Sequence, residues 1–240
     1  MTRQAVLLAG GLGTRLGPLT KTLPKSMARV GGKPFLEWLL TLLVRQGIND
    51  LVFCVGYLAG QIQKYFLDGR KWNARIRYSV EETPLGTGGA LKKAADFLEE
   101  SFLVLNGDNY LELDYQDFIS KFELGPKAVG MLTCWHNHPP QFQSNISLAP
   151  DQKTVAAYDY RDPAGKTYVD CGIKIFSREL LSFFDHCDAF SLEGDIQPKL
   201  AREGLLRAYV VSRPPLDIGT PESLKATEAE LRKKGAPLIA

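Results

Sequence analysis

At 240 residues, 45% hydrophobic and 23% charged, the chain has the make-up of an ordinary soluble globular protein, with room for one large α/β domain or two small ones. Its 29 Lys+Arg against 27 Asp+Glu leave a net charge of +2, which excludes the basic footprint of a nucleic-acid binder. No apolar run approaches the ~18 residues of a membrane span, and the N-terminal apolar core is too short for a signal peptide. Cys54, Cys134, Cys171 and Cys187 have neither CxxC spacing nor disulfide density, and read as reduced thiols of a cytoplasmic protein.

In chain order, the apolar run Ala5-Val6-Leu7-Leu8-Ala9 reads as a buried strand. Gly10, Gly11 and Gly13 follow within four residues, so the backbone can turn sharply and offer bare amides, which suit an anion, most often a phosphate. Arg15 adds a two-pronged donor and Lys25 a compact positive charge. The plain alternative is a glycine-rich turn with two solvated cations. A dinucleotide fingerprint would need a third glycine where Leu16 stands, and a phosphate-binding Walker loop would need Gly-Lys-Ser/Thr, which is absent.

Pro34 is expected to open a helix whose Phe35, Leu36, Leu39, Leu40, Leu43 and Val44 form one broad apolar face, with Gly47 closing it. Leu51–Val55 reads as a second strand, Leu58–Leu67 as a helix, and the alternation Arg75–Val80 as a strand with one exposed face. Strands and helices alternating at this spacing imply parallel crossovers in a layered sheet. Pro84-Leu85-Gly86-Thr87-Gly88-Gly89 is a second glycine-rich turn, read as leading into a helix over Ala90–Leu98. The apolar strand Phe102–Leu105 runs into Asn106-Gly107-Asp108-Asn109, placing a carboxylate where open α/β sheets gather ligands, unless Asp108 is only a turn residue.

The second half is less regular. Helices are expected over Asp114–Phe122, Glu179–Phe184, Asp195–Arg202 and Pro221–Lys234. Strands are expected over Ala128–Cys134, Ile146–Leu148, Val155–Tyr158, Tyr168–Phe176 and Leu206–Val211, in a more antiparallel patch. Asp217 ends an apolar stretch before Gly219-Thr220-Pro221, where Thr220 suits an N-cap. His136 and His138 lack a third ligand at sensible spacing and read as a loop. No Gly-x-Ser-x-Gly supports a serine hydrolase.

The stretch Gly10-Gly11-Leu12-Gly13-Thr14-Arg15-Leu16-x-Pro18-Leu19-Thr20-x-x-x-Pro24-Lys25 closely resembles the signature of the sugar-1-phosphate nucleotidyltransferases, and the resemblance extends over nearly all of residues 3–230. Those enzymes join a nucleoside triphosphate to a sugar 1-phosphate and release pyrophosphate. The resemblance implies a single α/β domain over 1–240, a layered mixed sheet of the Rossmann-like, glycosyltransferase-A-like type without a C-terminal β-helix. Within it, 1–110 would be a nucleotide half and 111–240 a sugar-phosphate half. It further implies Arg15, Lys25 and Asp108 as catalytic residues. Asp108 and Asp217 would hold Mg²⁺, two carboxylates completed by phosphate oxygens and water.

Leu8, Gly10, Gly11, Gly13 and Thr14 are implied as triphosphate contacts, and Gly86 and Thr87 as base contacts through a motif similar to the family's Leu-Gly-Thr-Ala/Gly-Gly-Ala-Leu. On the sugar side, Asn145, Gly172 and Glu193 are candidates. Arg161, in Asp159-Tyr160-Arg161-Asp162-Pro163, stands where relatives carry a phosphate-contacting lysine. Guanine offers two donors that a carboxylate can accept. Glu81 and Glu82 face opposite ways at a strand end, so at most one of them lies beside the base, with Glu82 carried as the candidate and Glu81 as the alternative.

In wording, Pro34-Phe35-Leu36-Glu37, Gln46-Gly47-Ile48 and the Leu85 motif are most similar to the D-glycero-α-D-manno-heptose 1-phosphate guanylyltransferases. Mannose-1-phosphate guanylyl-, glucose-1-phosphate thymidylyl- and MurNAc-1-phosphate uridylyltransferases are the alternatives, and a non-catalytic nucleotide-sugar-binding subunit is the alternative of another class. No nucleic acid or membrane is expected as a partner. The assembly is open, a homodimer being one option.

Overall fold

The computed structural model describes residues 2–159, 161–185 and 187–233. Among them no helix is long and apolar enough to cross a membrane. The chain forms two compact units that interleave in sequence. One comprises Arg3–Pro84, Leu105–Glu112 and the chain from Pro215 onward; the other contains Thr2, Leu85–Val104 and Leu113–Pro214. The units therefore do not part at residue 110. The C-terminal segment returns to the first unit because Leu216–Asp217 pairs antiparallel with Asn109–Tyr110.

In the first unit, Gln4–Leu8, Asp50–Val55 and Arg75–Val80 are parallel neighbours, with Val6 opposite Val52 and Val52 opposite Arg77. The central strand is apolar and buried from Leu51 to Val55, as a strand covered on both faces must be. The cover comes from the connections that parallel pairing requires, the helices Phe35–Arg45 and Ala59–Phe66. Leu36, Leu39, Leu40 and Leu43 are fully buried, each contributing on the order of 1.5–3 kcal/mol. Pro34 keeps an extended backbone and pairs with Arg29 in a two-residue ladder, so the helix begins at Phe35 rather than at the proline.

The second unit is more antiparallel. Tyr168–Ser177 runs antiparallel to Gly130–His136 and touches Ile146–Leu148, which pairs with Val155–Tyr158; Leu206–Val211 joins Gly130–His136 in parallel. The helix expected from Ala90 starts four residues earlier, spanning Gly86–Lys93, and a separate turn at Ala95–Phe97 follows. Tertiary contact overrides glycine's poor helix propensity here. The amides of Gly88 and Gly89 donate to Phe190 O at 3.0 and 3.3 Å, and a Cβ on either would run into the Phe190 ring or the Asp188 carbonyl. Glycine is required for that close approach. The C-terminal helix spans Pro221–Lys233; Lys234, its expected last residue, lies outside the described residues.

Candidate active site

The first strand ends at Leu8, whose carbonyl accepts from Gly107 N at 2.9 Å; this bond sets the Asp108 turn beside the signature loop. Gly13 has φ +63° and is followed by a 3-10 segment over Thr14–Lys21, closed by Leu16 N to Gly13 O at 3.0 Å. Thr20 Oγ1 ties the segment back to the Gly13 and Gly17 carbonyls at 3.2 and 3.1 Å. Gly11, Thr14 and Arg15 are exposed, while Leu16 is buried and anchors the loop. The Arg15 guanidinium makes no hydrogen bond or ion pair among the described residues.

Lys25 and Asp108 form an ion pair in which the lysine side chain is 13% exposed and the carboxylate 29%. Asp217 is brought to the same place by its ladder: it lies opposite Asn109, and Ile218 N donates to Asp108 O at 3.1 Å. Asp217 Oδ1 accepts from Gly219 N at 2.6 Å and Ser223 Oγ at 2.8 Å. Its Oδ2 has no hydrogen bond among the described residues. Ser223 N in turn donates to Thr220 Oγ1, and Thr220 N to Ser223 Oγ, a reciprocal cap on the Pro221 helix. A Cβ on Gly219 would lie 2.9 Å from Asp217 Oδ1 and 3.8 Å from an Arg15 nitrogen, so guanidinium and carboxylate flank one glycine. Arg15, Lys25, Asp108 and Asp217, distant in sequence, thus gather around one turn.

The two glutamates at the strand end differ in their surroundings. Glu82 is exposed, whereas Glu81 is half-buried and reaches the phosphate loop: a Cβ on Gly10 would sit 2.7 Å from Glu81 Oε1. Strand alternation admits one inward residue, and the pairing of Val80 with Val55 sets the phase to Glu81. Burial, with the Glu81 carboxylate in addition, pushes the Cys54 thiol upward.

The sugar-side candidates lie in the second unit. Thr87 does not present its hydroxyl to solvent; it donates to Glu193 Oε2 at 2.5 Å and accepts from Leu192 N at 2.9 Å. The Gly88 and Gly89 amides are also taken, and a Cβ on the exposed Gly86, at φ +72°, would lie 2.5 Å from Phe190 O. Asn145 Oδ1 accepts from Asp170 N at 2.9 Å, and Gly172 N donates to Asp170 Oδ1 at 2.8 Å. Arg161 is exposed, its backbone amide bound to Asp159 Oδ1 at 2.8 Å.

At the centre of this cluster is a residue that sequence reading passed over. Lys174 is fully buried and bridges Asp170 Oδ2 at 3.2 Å and Glu193 Oε1 at 3.1 Å. Burial alone would discharge the ammonium, but the two carboxylates outweigh it and hold its pKa above the usual lysine range. Burial likewise opposes the charge on Glu193, yet Lys174 and the Thr87 hydroxyl bring its pKa below the ordinary carboxyl value. The available signal was a lysine inside the otherwise apolar run Ile173–Phe176.

The nucleotidyl transferase family model matches residues 4–234. D-glycero-α-D-manno-heptose 1-phosphate guanylyltransferase of Campylobacter jejuni is 32% identical over 220 residues, covering 91% of this chain and 96% of that protein. The enzyme of the same name from Aneurinibacillus thermoaerophilus is 29% identical over 230 residues, covering 95% and 98%. Among solved structures, HddC from Yersinia pseudotuberculosis complexed with GMP-PN is 31% identical with a TM-score of 0.79, covering 95% of this chain and 99% of that one. The chain therefore belongs to the nucleotidyl transferase family and is an enzyme.

Proposed function

We propose that the protein is a magnesium-dependent guanylyltransferase that moves GMP from GTP to D-glycero-α-D-manno-heptose 1-phosphate and releases pyrophosphate. The observation that carries the transfer chemistry is the gathering of Arg15, Lys25, Asp108 and Asp217 at one turn. The choice of base is supported by Glu81 beside Gly10, and the choice of sugar by the printed names of the relatives.

In this reading an oxygen of the sugar 1-phosphate attacks the α-phosphorus in line and pyrophosphate departs. A phosphate is already ionised at neutral pH, so no protein base and no covalent intermediate is needed, and catalysis is positioning with charge neutralisation. Gly10, Gly11 and Gly13 bring bare backbone to the triphosphate, Leu8 and Thr14 flank it, and Arg15 grips the departing pyrophosphate. Lys25 neutralises the reacting phosphates, Asp108 holding the ammonium in place beforehand. Asp108 and Asp217 fit Mg²⁺, because each keeps a carboxylate oxygen with no hydrogen bond among the described residues. Mg²⁺ would supply further neutralisation of phosphate charge.

Glu193, Asn145, Gly172 and Arg161 are assigned to the sugar 1-phosphate, and Gly86 with Thr87 remains at the base side of the motif. The chain is taken as one catalytic domain acting in the cytoplasm, with no nucleic-acid or membrane partner; a homodimer is checked by sedimentation. The test of the function is pyrophosphate release from GTP, ATP, dTTP, UTP and CTP, each offered heptose, mannose, glucose and MurNAc 1-phosphates. Turnover confined to GTP with the heptose phosphate is expected. Efficient turnover with dTTP, UTP or CTP and none with GTP would remove the guanylyl assignment. Nucleotide-sugar binding with no turnover on any pair would make the protein a regulatory subunit.

A further inference from the structure

We propose that Lys174 is a positioning residue that fixes the Glu193 carboxylate as an acceptor for a hydroxyl-rich ligand, the sugar portion of the sugar 1-phosphate. The inference rests on the transferase reading above and names the residue on which its sugar recognition depends.

The cluster of Asp170, Lys174 and Glu193 holds two carboxylates and one ammonium, a surplus of one negative charge. Its members differ in how far they are satisfied. Asp170 is 6% exposed and its oxygens are used: Oδ1 by Gly172 N at 2.8 Å, Oδ2 by Tyr158 Oη at 2.8 Å, by Lys174, and by Gln197 Nε2 at 3.5 Å. Lys174 is 1% exposed and reaches no solvent. Glu193 is 14% exposed, the one member of the triad with surface. Its Oε2 takes Thr87 Oγ1 at 2.5 Å and Ser191 Oγ at 3.3 Å, Oε1 takes Lys174, and its own backbone amide supports the carboxylate, which with four lone-pair positions keeps acceptor capacity. Gln197, fully buried on the adjoining helix, leaves Oε1 without a hydrogen bond. The protein alone does not complete this network.

A surplus negative charge with spare acceptor capacity at its only open end attracts hydrogen-bond donors and repels phosphate. That is the chemistry of sugar hydroxyls. A buried ion pair is weak evidence for stability, since well-packed apolar residues often serve as well, so a lysine in the run Ile173–Phe176 calls for another reason. Orientation supplies it. The strand spends four steps between Asp170 and Lys174 opposite two steps between Cys134 and Leu132, and the two side chains meet at 3.2 Å. Lys174 pulls on Glu193 from the strand while Thr87 holds it from the Gly86 helix. The other charged group of the turn, Asp195, is engaged with Ser191 N at 2.8 Å.

The test compares the wild-type protein with Lys174→Met and Glu193→Gln, measuring kcat and both KM values between about pH 5.5 and 8.5, with thermal unfolding alongside. Lys174→Met is expected to raise KM for the sugar 1-phosphate about tenfold, the scale of one lost charged hydrogen bond. KM for the triphosphate should stay within about twofold, the surroundings of the phosphate loop being untouched. The sign of the pH effect follows from Glu193: Lys174 and the Thr87 hydroxyl hold its pKa down against burial, so without the lysine the pKa rises and the carboxylate protonates more readily as pH falls. The sugar-phosphate KM of the variant, relative to wild type, should therefore worsen toward acid. Equal changes in both KM values, or a pH profile parallel to wild type, overturn the proposal. If Glu193→Gln raises KM for the sugar 1-phosphate and Lys174→Met does not, this inference alone falls; if the wild type uses no sugar 1-phosphate, the functional reading falls with it. Should Lys174→Met not fold, Asp170→Asn/Lys174→Met keeps the net single negative charge and carries the same expectation.

Discussion

The aliphatic stem of Lys25 passes directly over Gly13: a Cβ there would lie 2.7 Å from Lys25 Cβ and 3.0 Å from Thr20 Cγ2. Gly13 is thus glycine for two reasons, its φ of +63° and the space that the lysine occupies. We predict that Gly13→Ala costs about 1–2 kcal/mol of stability from the backbone alone. It should also lower kcat by more than tenfold, roughly 1.4 kcal/mol of barrier, because the ammonium is displaced from Asp108. A folded Gly13→Ala protein with normal kcat would show that Lys25 tolerates displacement.

The carboxylate pair makes the second prediction. Asp108→Asn and Asp217→Asn should each reduce turnover by orders of magnitude at saturating magnesium, with circular dichroism unchanged. The two variants should differ in one respect. Asp108→Asn also frees Lys25 from its ion pair, whereas Asp217→Asn loosens the Gly219 and Ser223 contacts that hold the C-terminal helix start. Near-normal turnover in either variant would remove that residue from the metal.

Arg15 is exposed and has no protein partner among the described residues, so its replacement should leave stability within about 0.5 kcal/mol. Arg15→Lys conserves charge but loses the planar fork, and kcat/KM for the triphosphate should fall sharply. Stopped assays of pyrophosphate release read this directly; an unimpaired Arg15→Lys enzyme would mean that charge alone suffices.

Glu81 and Glu82 provide an internal control for the base. Glu81→Gln should cost roughly 1–3 kcal/mol of discrimination between GTP and ATP, the scale of a lost polar contact pair. Glu82→Gln, on the exposed side of the strand end, should cost none. The reverse ranking of the two variants in a GTP/ATP competition would place the base on the other face.

The thiols offer a check on the fold itself. Cys54, Cys134 and Cys171 are buried and Cys187 is exposed. Burial pushes Cys134 up to about 12, and raises Cys54 and Cys171 further. A thiol reagent at about pH 8 should therefore label one cysteine quickly and the other three only on unfolding. Fast labelling of two or more in the native protein would contradict the packing of the strands that carry them.

Much of the architecture was legible because apolar runs and glycines mark strands and their ends. Leu51–Val55 could hardly be anything but a covered strand, and Gly10–Gly13 with Arg15 and Lys25 spelled out phosphate chemistry before any contact was known. What escaped reading was long-range. A ladder of two residues, Leu216–Asp217 on Asn109–Tyr110, has no periodicity to betray it, so the meeting of Asp217 with Asp108 was known only by resemblance. Alternation said that one of Glu81 and Glu82 faces inward, but the phase depends on a register with Val55 that one strand alone does not carry. The glycines of the Leu85 motif looked like bare backbone for a ligand; Gly88 and Gly89 are instead filled by Phe190 and Asp188, a hundred residues away. Lys174, a charge among apolar neighbours, was passed over because only Asp170 lies on its own strand and Glu193 comes from another segment.

The small ladder between Asn109–Tyr110 and Leu216–Asp217 also governs the order in which the protein can become competent during synthesis. The loop it closes spans most of the second unit, and such distant pairings are slow to form. A nascent chain that has emerged only as far as Pro214 already carries Gly10–Gly13, Arg15, Lys25 and Asp108, but not Asp217. The carboxylate pair proposed above would thereby be completed only after the whole intervening loop has been made.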